Sequence, residues 1–507
     1  MRSDPPSRLV RAAHVLALGG LLGNASCGQV LGLDEFEDCD AESCSGAVWA
    51  KSFGSQEFAY PESARLDSEG NIFISGTFRG TVDFGGPPLI SSYMAFFLAK
   101  LEPDGSYAFS RQLSVDEHDG AFQPRLAVLP DDSVVLTGRY QNSIDLGDEE
   151  PLTAPSPDGR ASFVARFSPD GELRWQRDLF TGTGRVFALD AAATPDGDVV
   201  LVGSFEREVN LGSSTLTTAA KDAFIVRLDG ETGDEQWSLQ LGNPEDTMTT
   251  TTIEATAVAT DPDGNIIVGG RFTGSIGFGF GGGFAESPSG AGAFVLKLVS
   301  TGDRDWTSLL QGEGHAWVSD IDVDARGDVL VGGALAGAIR ITTPNVPGAQ
   351  QTSGMPDSDL LLVKLSSAGS HLWSLKFGDD SPQLETEDGV AVILGPRVAF
   401  DNAGEIVLGA SVAGGVDFGG GMLGGRGDPD WTVAKLSARG EHLWSRRFGD
   451  PAALQAIISV DAEPETNELV VVGLNDGLLD FGSGIKIGEG GETSVVVAKI
   501  DLERVGR

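Results

Sequence analysis

One register runs through this chain and decides what it can become. A run of β-branched and large apolar residues follows a turn at Ile72-Phe73-Ile74, Val134-Val135-Leu136, Val199-Val200-Leu201, Ile266-Ile267-Val268, Val329-Leu330-Val331, Ile406-Val407-Leu408 and Leu469-Val470-Val471. The starts lie 62, 65, 67, 63, 77 and 63 residues apart. Self-similarity at such a period is the signature of stacked or radial repeats, in which one supersecondary unit recurs. The turns ahead of the runs, such as Asp67-Ser68-Glu69-Gly70 and Asp261-Pro262-Asp263-Gly264, carry the Asp, Pro and Gly of hairpin connections.

Three further markers keep step. Twelve residues beyond each start stands an apolar residue inside a turn-like triplet: Asp83-Phe84-Gly85, Asp145-Leu146-Gly147, Asn210-Leu211-Gly212, Gly277-Phe278-Gly279, Arg340-Ile341-Thr342, Asp417-Phe418-Gly419 and Asp480-Phe481-Gly482. An apolar strand with one cation follows, at Lys100, Arg166, Arg227, Lys297, Lys364, Lys435 and Lys499. Nine or ten residues later comes an aromatic: Phe109, Trp175, Trp237, Trp306, Trp373 and Trp444. Each repeat thus predicts four strands: a before the turn, b the β-branched run, c with the cation and d with the aromatic. The b runs are continuously apolar, as in strands buried on both faces. Gly76, Gly138, Gly203, Gly270, Gly333 and Gly473 recur in them, with Ala410 in the remaining one, which predicts a close backbone approach.

The ends supply the topology. Strand d of the last repeat would fall past Arg507, whereas Val48-Trp49-Ala50-Lys51-Ser52-Phe53-Gly54 near the start matches Leu372-Trp373-Ser374-Leu375-Lys376-Phe377-Gly378. An orphan d strand in front and a missing one behind predict a ring, whose closure removes the open sheet edges. The expected fold is all-β: a seven-bladed β-propeller over residues 47–500, four antiparallel strands per blade, closed by the N-terminal strand, with a tail at 501–507.

The Gly-Asn-Ile/Val start, the Asp-Phe-Gly triplet, the Phe-Val/Leu-x-Lys-Leu strand and the Gly-x-x-x-Trp return resemble the bacterial seven-bladed β-propeller repeat proteins, secreted proteins and lipoproteins of environmental bacteria. The resemblance implies a propeller in the cell envelope and implies no particular activity, because propellers host many unrelated ones.

Residues 1–27 read as an export signal. Arg2, Arg8 and Arg11 precede an apolar stretch from Ala12 to Gly23, too short to span a bilayer as a helix. It ends in Asn24-Ala25-Ser26-Cys27, which resembles a lipobox and makes Cys27 the expected lipidation site, with ordinary cleavage as the alternative. Residues 28–46 form an acidic tether. In an oxidising envelope its Cys39 and Cys44 are expected to form a local disulfide. Membrane contact is then through the N-terminal lipid alone.

Thirty-five Lys and Arg against 74 Asp and Glu leave a net charge of −39. Such a surface repels phosphate backbones, which excludes nucleic acid as a partner. The long loops from strand d to the next strand a and from strand b to strand c, which share one face, are the expected binding surface, and the acidic loop with Asp379, Asp380, Glu385, Glu387 and Asp388 is the candidate site. Calcium is the cation it could hold, and Asp320, Asp322 and Asp324, alternating on one strand, give a second hint of it. The Asp of the Asp-Phe-Gly triplet reads as a turn cap, the strand-c cation as the partner of neighbouring acids, and Arg326-Gly327-Asp328 as an ordinary turn. Five histidines are too few and too scattered for a His-based metal cluster. The expected function is a non-enzymatic envelope scaffold binding a protein or glycan. The alternatives are an enzyme acting on an extracellular polymer through loop carboxylates and a calcium-stabilised adhesin.

Overall fold

A computed structural model describes residues 47–502 apart from 55–56, 116–121, 148–149, 155–159, 180–183, 212, 243–250, 280–283, 345–346, 354–357, 379–385, 388–389, 392–394, 426–428, 450–453, 464–465, 467, 482–485 and 488–492. The leader, Cys27, the tether, Cys39, Cys44 and the tail beyond Leu502 lie outside the described residues. The chain is all-β, with no helix among the described residues and hence none long and apolar enough to cross a membrane.

Each repeat forms an antiparallel sheet in the order a-b-c-d. The first comprises Phe58–Leu66, Ile72–Val82, Leu89–Leu101 and Tyr107–Val115; the second Phe122–Val128, Val134–Gln141, Arg160–Phe167 and Leu173–Asp178. The third comprises Arg185–Ala193, Val199–Asn210, Thr215–Leu228 and Glu235–Leu241; the fourth Thr252–Thr260, Ile266–Gly277, Phe284–Leu298 and Arg304–Gly312. The fifth comprises His315–Val323, Val329–Ala336, Asp359–Leu365 and His371–Phe377; the sixth Arg397–Phe400, Ile406–Val412, Asp430–Leu436 and His442–Phe448. The last contributes Gln455–Ala462, Glu468–Asn475 and Ser494–Asp501, and its fourth strand is Ala47–Gly54, which pairs antiparallel with Ser494–Ile500.

The connections between strands b and c, read from sequence as loops, are largely hairpins. Strand b runs on to the Asp-Phe-Gly triplet and strand c returns from it, as Gly80–Val82 against Leu89–Ser91 and Ser275–Gly277 against Phe284–Glu286 show. Their polar, Ser- and Gly-rich residues hide the strand signal. What holds them extended is pairing with a neighbouring unit: Leu309–Gly312 of the fourth bonds to Ile339–Thr342 of the fifth, and Ser114–Val115 of the first to Ile144–Asp145 of the second. The triplet's Asp is a cap, as expected: Asp83, Asp145 and Asp417 accept the N–H of Gly85, Gly147 and Gly419 at 2.7, 2.8 and 2.7 Å.

The triplet's apolar residue is a bolt between units. Phe84, Phe418 and Phe481 are buried and meet Phe53, Phe377 and Phe448, the ends of the preceding strands d, at ring-centroid distances of 5.1, 4.9 and 5.1 Å. One apolar core fills each such junction. Ile72, Phe78 and Phe97 of the first unit, for example, pack with Val470, Val472, Val495 and Val497 of the last. Burying one such Phe is worth roughly 1.5–3 kcal/mol.

The recurrent strand-b glycine has a local cause. Strand a carries a bulge between Pro61 and Ser63, and another between Ala188 and Asp190. Each bulge throws a carbonyl toward strand b. A Cβ at Gly76 would lie 2.0 Å from the Tyr60 carbonyl oxygen, and one at Gly203 would lie 1.9 Å from that of Phe187. At these positions the close approach is within a unit, between its own strands a and b, whereas a Cβ at Gly138 would meet the Phe163 and Phe96 rings at 3.0 and 3.1 Å. The sixth unit pairs its short strand a without a register shift, and there Ala410 stands in the glycine's place.

Candidate functional site

Two sets of polar residues recur from unit to unit. The first is the strand-c cation with the strand-d aromatic. Lys100, Lys297, Lys435 and Lys499 reach the acids of their own a–b turns, Asp67 at 2.9 Å, Asp261 at 2.9 Å, Asp401 at 2.8 Å and Glu463 at 2.6 Å. Arg166 and Arg227 do the same with Asp131 and Asp196, each at 2.6 Å. The same cations also reach forward. The Gly230 carbonyl accepts from Arg166 at 2.9 Å and from Trp175 Nε1 at 3.0 Å; that of Ser367 accepts from Lys297 at 3.2 Å and Trp306 Nε1 at 3.0 Å. The Pro103 carbonyl in the first unit accepts from Lys499 and from Trp49 Nε1, both at 3.2 Å. In these pairs a c–d turn is held by a cation and an indole of the unit before it, as is the Ser300 turn by Arg227 and Trp237, whereas the Pro169 carbonyl accepts from Lys100 and the Ala438 carbonyl from Trp373. Trp444 Nε1 has no partner among the described residues. The carboxylates around these cations, with the turn carbonyls, satisfy them structurally, and no groove of free cations results.

The second set lies where strands a run side by side. Ser63 Oγ accepts the N–H of Leu126 at 3.2 Å, Arg125 Nε donates to the Leu189 carbonyl at 2.7 Å, and Asp190 accepts the N–H of Val258 at 2.9 Å. Thr256 Oγ1 donates to the Val318 carbonyl at 2.7 Å, Asp320 accepts the N–H of Val398 at 2.8 Å, and Asp322 that of Phe400 at 2.6 Å. Between strands a, Asp461 accepts the N–H of Leu66 at 3.1 Å, and from strand b of the sixth unit Ser411 Oγ accepts the Ile457 N–H at 2.9 Å. In these contacts, strands from different units are joined by side chains where a sheet would use backbone.

The electrostatics follow from enclosure. Asp320 and Asp322 keep part of their surface open, yet protein surrounds them, and the lost hydration pushes their pKa values up to about 6 and about 7. Burial likewise raises Asp461. Burial opposes the charge of Arg65, but Asp190, Asp320, Asp461 and Asp322 outweigh it and raise its pKa. Its ion pair with Asp190 spans 3.7 Å. Burial lowers Arg125 more than its acidic neighbours restore.

Of the acidic loop named from sequence, Asp379, Asp380, Glu385 and Asp388 lie outside the described residues; Glu387 sits on a two-residue strand, Thr386–Glu387, paired with Val390–Ala391. Asp320 and Asp322 do share one side, but Asp324 turns to other work. It caps the a–b turn through the N–H groups of Arg326 and Asp328 and faces Lys364 at 3.7 Å. Arg326 pairs with Asp324 and Asp328 across that turn. Among the described residues no group of three or more His, Cys, Asp or Glu could hold a metal ion.

Sequence reasoning missed Arg65, Arg125, Asp190, Arg397 and Asp461. The repeat register holds the signal. At the strand-a place of Asp320 the other units carry Ser63, Arg125, Asp190, Ala257, Arg397 and Ser459. A charge standing where a sister repeat keeps alanine marks an enclosed polar position.

No family model matches the sequence. Over 262 residues it is 21% identical to an uncharacterized WD repeat-containing protein of Acanthamoeba polyphaga mimivirus. That stretch is 44% of this chain and 19% of that protein, so the chain spans less than a fifth of the relative's length. Its structural neighbours are β-propellers. They include the Dos1 propeller, at 9% identity and a TM-score of 0.40 over 89% of this chain and 95% of that one, and BamB from Moraxella catarrhalis, at 11%, 0.37, 89% and 99%. A polysaccharide lyase, the PL25 ulvan lyase, is similar at 10% identity and a TM-score of 0.47 over 87% of this chain and 97% of the lyase.

Proposed function

We propose that the chain is a seven-bladed β-propeller, closed by its N-terminal strand, that serves as a non-enzymatic binding scaffold of the cell envelope. In this reading residues 1–27 direct export, Cys27 carries the lipid, 28–46 are the tether with a Cys39–Cys44 disulfide, and the ligand is an envelope protein or glycan. Closure is supported by the bonds from the last unit to the first: Asp461 to Leu66, and Lys499 with Trp49 to Pro103. The scaffold reading is carried by one observation. The carboxylates Asp190, Asp320, Asp322 and Asp461, enclosed where strands a meet, each accept a backbone N–H of an adjacent strand a. They are spent on holding units together, and a rigid frame is what a binding surface of long connections needs.

The test is capture from native envelope, wild type against Cys27→Ala, with the purified protein assayed in parallel for cleavage of extracellular polysaccharides. A partner retained by the purified wild-type domain, with no polymer cleaved, is the expected result. Turnover of a polymer that disappears in Asp320→Asn or Asp322→Asn would overturn it and establish the enzyme reading, which the raised pKa values of those two acids favour. A melting temperature that falls with chelator would instead favour the calcium-stabilised adhesin.

A further inference from the structure

We infer that the gap between the fourth and fifth units, among their a–b and c–d turns, receives an arginine side chain of a partner protein. The inference rests on the scaffold reading and names what that partner presents.

A cavity of about 580 Å³ opens there, with Pro262, Asp263, Asp305, Trp306, Pro344 and Ala368 in its lining. That size lies within the roughly 300–1,000 Å³ of ligand-binding clefts. The repeat register shows what sets this seam apart. In the third unit the residue after the turn carbonyl Gly230 is Glu231, which reaches back across its seam to Arg166 at 2.8 Å. In the fifth unit the residue after the turn carbonyl Ser367 is Ala368, which has nothing beyond Cβ to reach across. The fifth unit also breaks the triplet pattern. Arg340-Ile341-Thr342 replaces Asp-Phe-Gly, its strand bonds onto Leu309–Gly312 of the fourth, and the chain just beyond it brings Pro344 to the cavity wall. A departure from an otherwise repeated pattern is where a site is expected.

The charges select the occupant. Two cations line the cavity, and both are matched within the protein: Lys297 by Asp261 at 2.9 Å and the Ser367 carbonyl at 3.2 Å, Arg326 by Asp324 and Asp328. The carboxylates of Asp263 and Asp305 have no hydrogen bond or ion pair among the described residues. Asp263 stands three residues before strand b, where the second and third units carry Asp131 and Asp196. Each of those pairs with the strand-c arginine of its own unit, Arg166 or Arg227, at 2.6 Å. In the fourth unit the strand-c cation is Lys297, turned to Asp261, so Asp263 lacks the guanidinium that its sister acids hold. A guanidinium from outside supplies it, with Asp305 as a second acceptor and Pro262 and Pro344 as apolar walls for the methylene stem. Among the described residues no group of three or more His, Cys, Asp or Glu could hold a metal ion, which leaves an organic cation. The net charge of −39 draws a basic partner toward the molecule.

Calorimetric titration of the purified protein with a blocked alanine–arginine–alanine tripeptide, its citrulline counterpart and spermidine tests this. The arginine peptide should bind, more weakly at high salt, and the uncharged citrulline peptide should not. Asp263→Asn and Asp305→Asn should each weaken binding roughly tenfold at an unchanged melting temperature. Arg326→Gln should strengthen it roughly twofold by removing a like charge. Glu69→Gln, at the equivalent turn position of the first unit, should leave it unchanged. No binding of the arginine peptide overturns the inference, as does a citrulline peptide that binds equally well or a pair of Asn variants that bind like wild type. Tighter binding of spermidine would overturn the peptide assignment and give the cavity to a free polyamine. If the peptide fails while an envelope partner is still captured, the scaffold reading stands without this site. If it binds while no partner is captured, the cavity's preference for arginine stands and the scaffold reading falls.

Discussion

The carboxylate of Asp461 accepts the backbone N–H of Leu66 at 3.1 Å, joining positions 395 residues apart. Asp461→Ala leaves that N–H without its acceptor in an enclosed place, so unfolding in urea should show a loss of about 1–3 kcal/mol. Asp461→Asn keeps an acceptor and removes a charge that burial disfavours, and it should unfold within about 1 kcal/mol of wild type.

The tryptophans offer an internally controlled pair. Trp306 donates to the Ser367 carbonyl at 3.0 Å, whereas Trp444 Nε1 has no partner among the described residues. Both are buried, so replacement by Phe removes similar apolar area in each. Trp306→Phe should cost about 1 kcal/mol more than Trp444→Phe in the same unfolding titration.

Asp320 and Asp322 set a pH dependence whose sign is opposite to that of a salt-bridged carboxylate. With folded pKa values of about 6 and about 7, above the ordinary 3.8, the folded state holds their protons more tightly than the unfolded chain does. Their contribution is fully present below about pH 4 and is lost as pH rises through about 7. Asp131, Asp196 and Asp324, held below the ordinary value, act the other way and lose their contribution as pH falls through their lowered values. Urea midpoints followed across this range should therefore fall from about pH 5 to about pH 8, and Asp322→Asn should flatten the fall.

Two glycines with left-handed backbones separate strain from crowding. Gly404, at φ +73°, has open space where a Cβ would go; Gly369, at φ +76°, would place one 2.6 Å from the Trp306 ring. Gly404→Ala should cost about 1–2 kcal/mol for the backbone alone. Gly369→Ala should cost about 1–3 kcal/mol more by displacing the indole, and Trp fluorescence should shift only in the latter.

Much of the architecture was open to reading because its markers are steric. A Trp that must lie on the next unit's glycine, or a Phe that must fill a junction, can hardly change without cost, so the residue type survives from repeat to repeat. The strand-c cation was legible as the partner of acids, although its forward reach to a turn carbonyl was not, since backbone acceptors leave no trace in sequence. The enclosed charges were hidden for a different reason. Arg125, Asp190 and Arg397 do related jobs with opposite charges, because either a guanidinium or a carboxylate can bond to an adjacent backbone. Function was least legible, as the residues that face outward carry no period.

The doubly bonded turn carbonyl has a bearing on how such a chain can grow. Arg166 with Trp175, Arg227 with Trp237 and Lys297 with Trp306 each bring a donor pair to the next unit's turn, so a duplicated segment of that kind arrives already matched to whatever precedes and follows it. Copying and trimming are then tolerated at the seams, while an isolated repeat, with its indole facing water and its turn unclaimed, gains nothing from being well formed. Selection would act on the assembled set and leave the outward connections free to diverge toward whatever each lineage must hold.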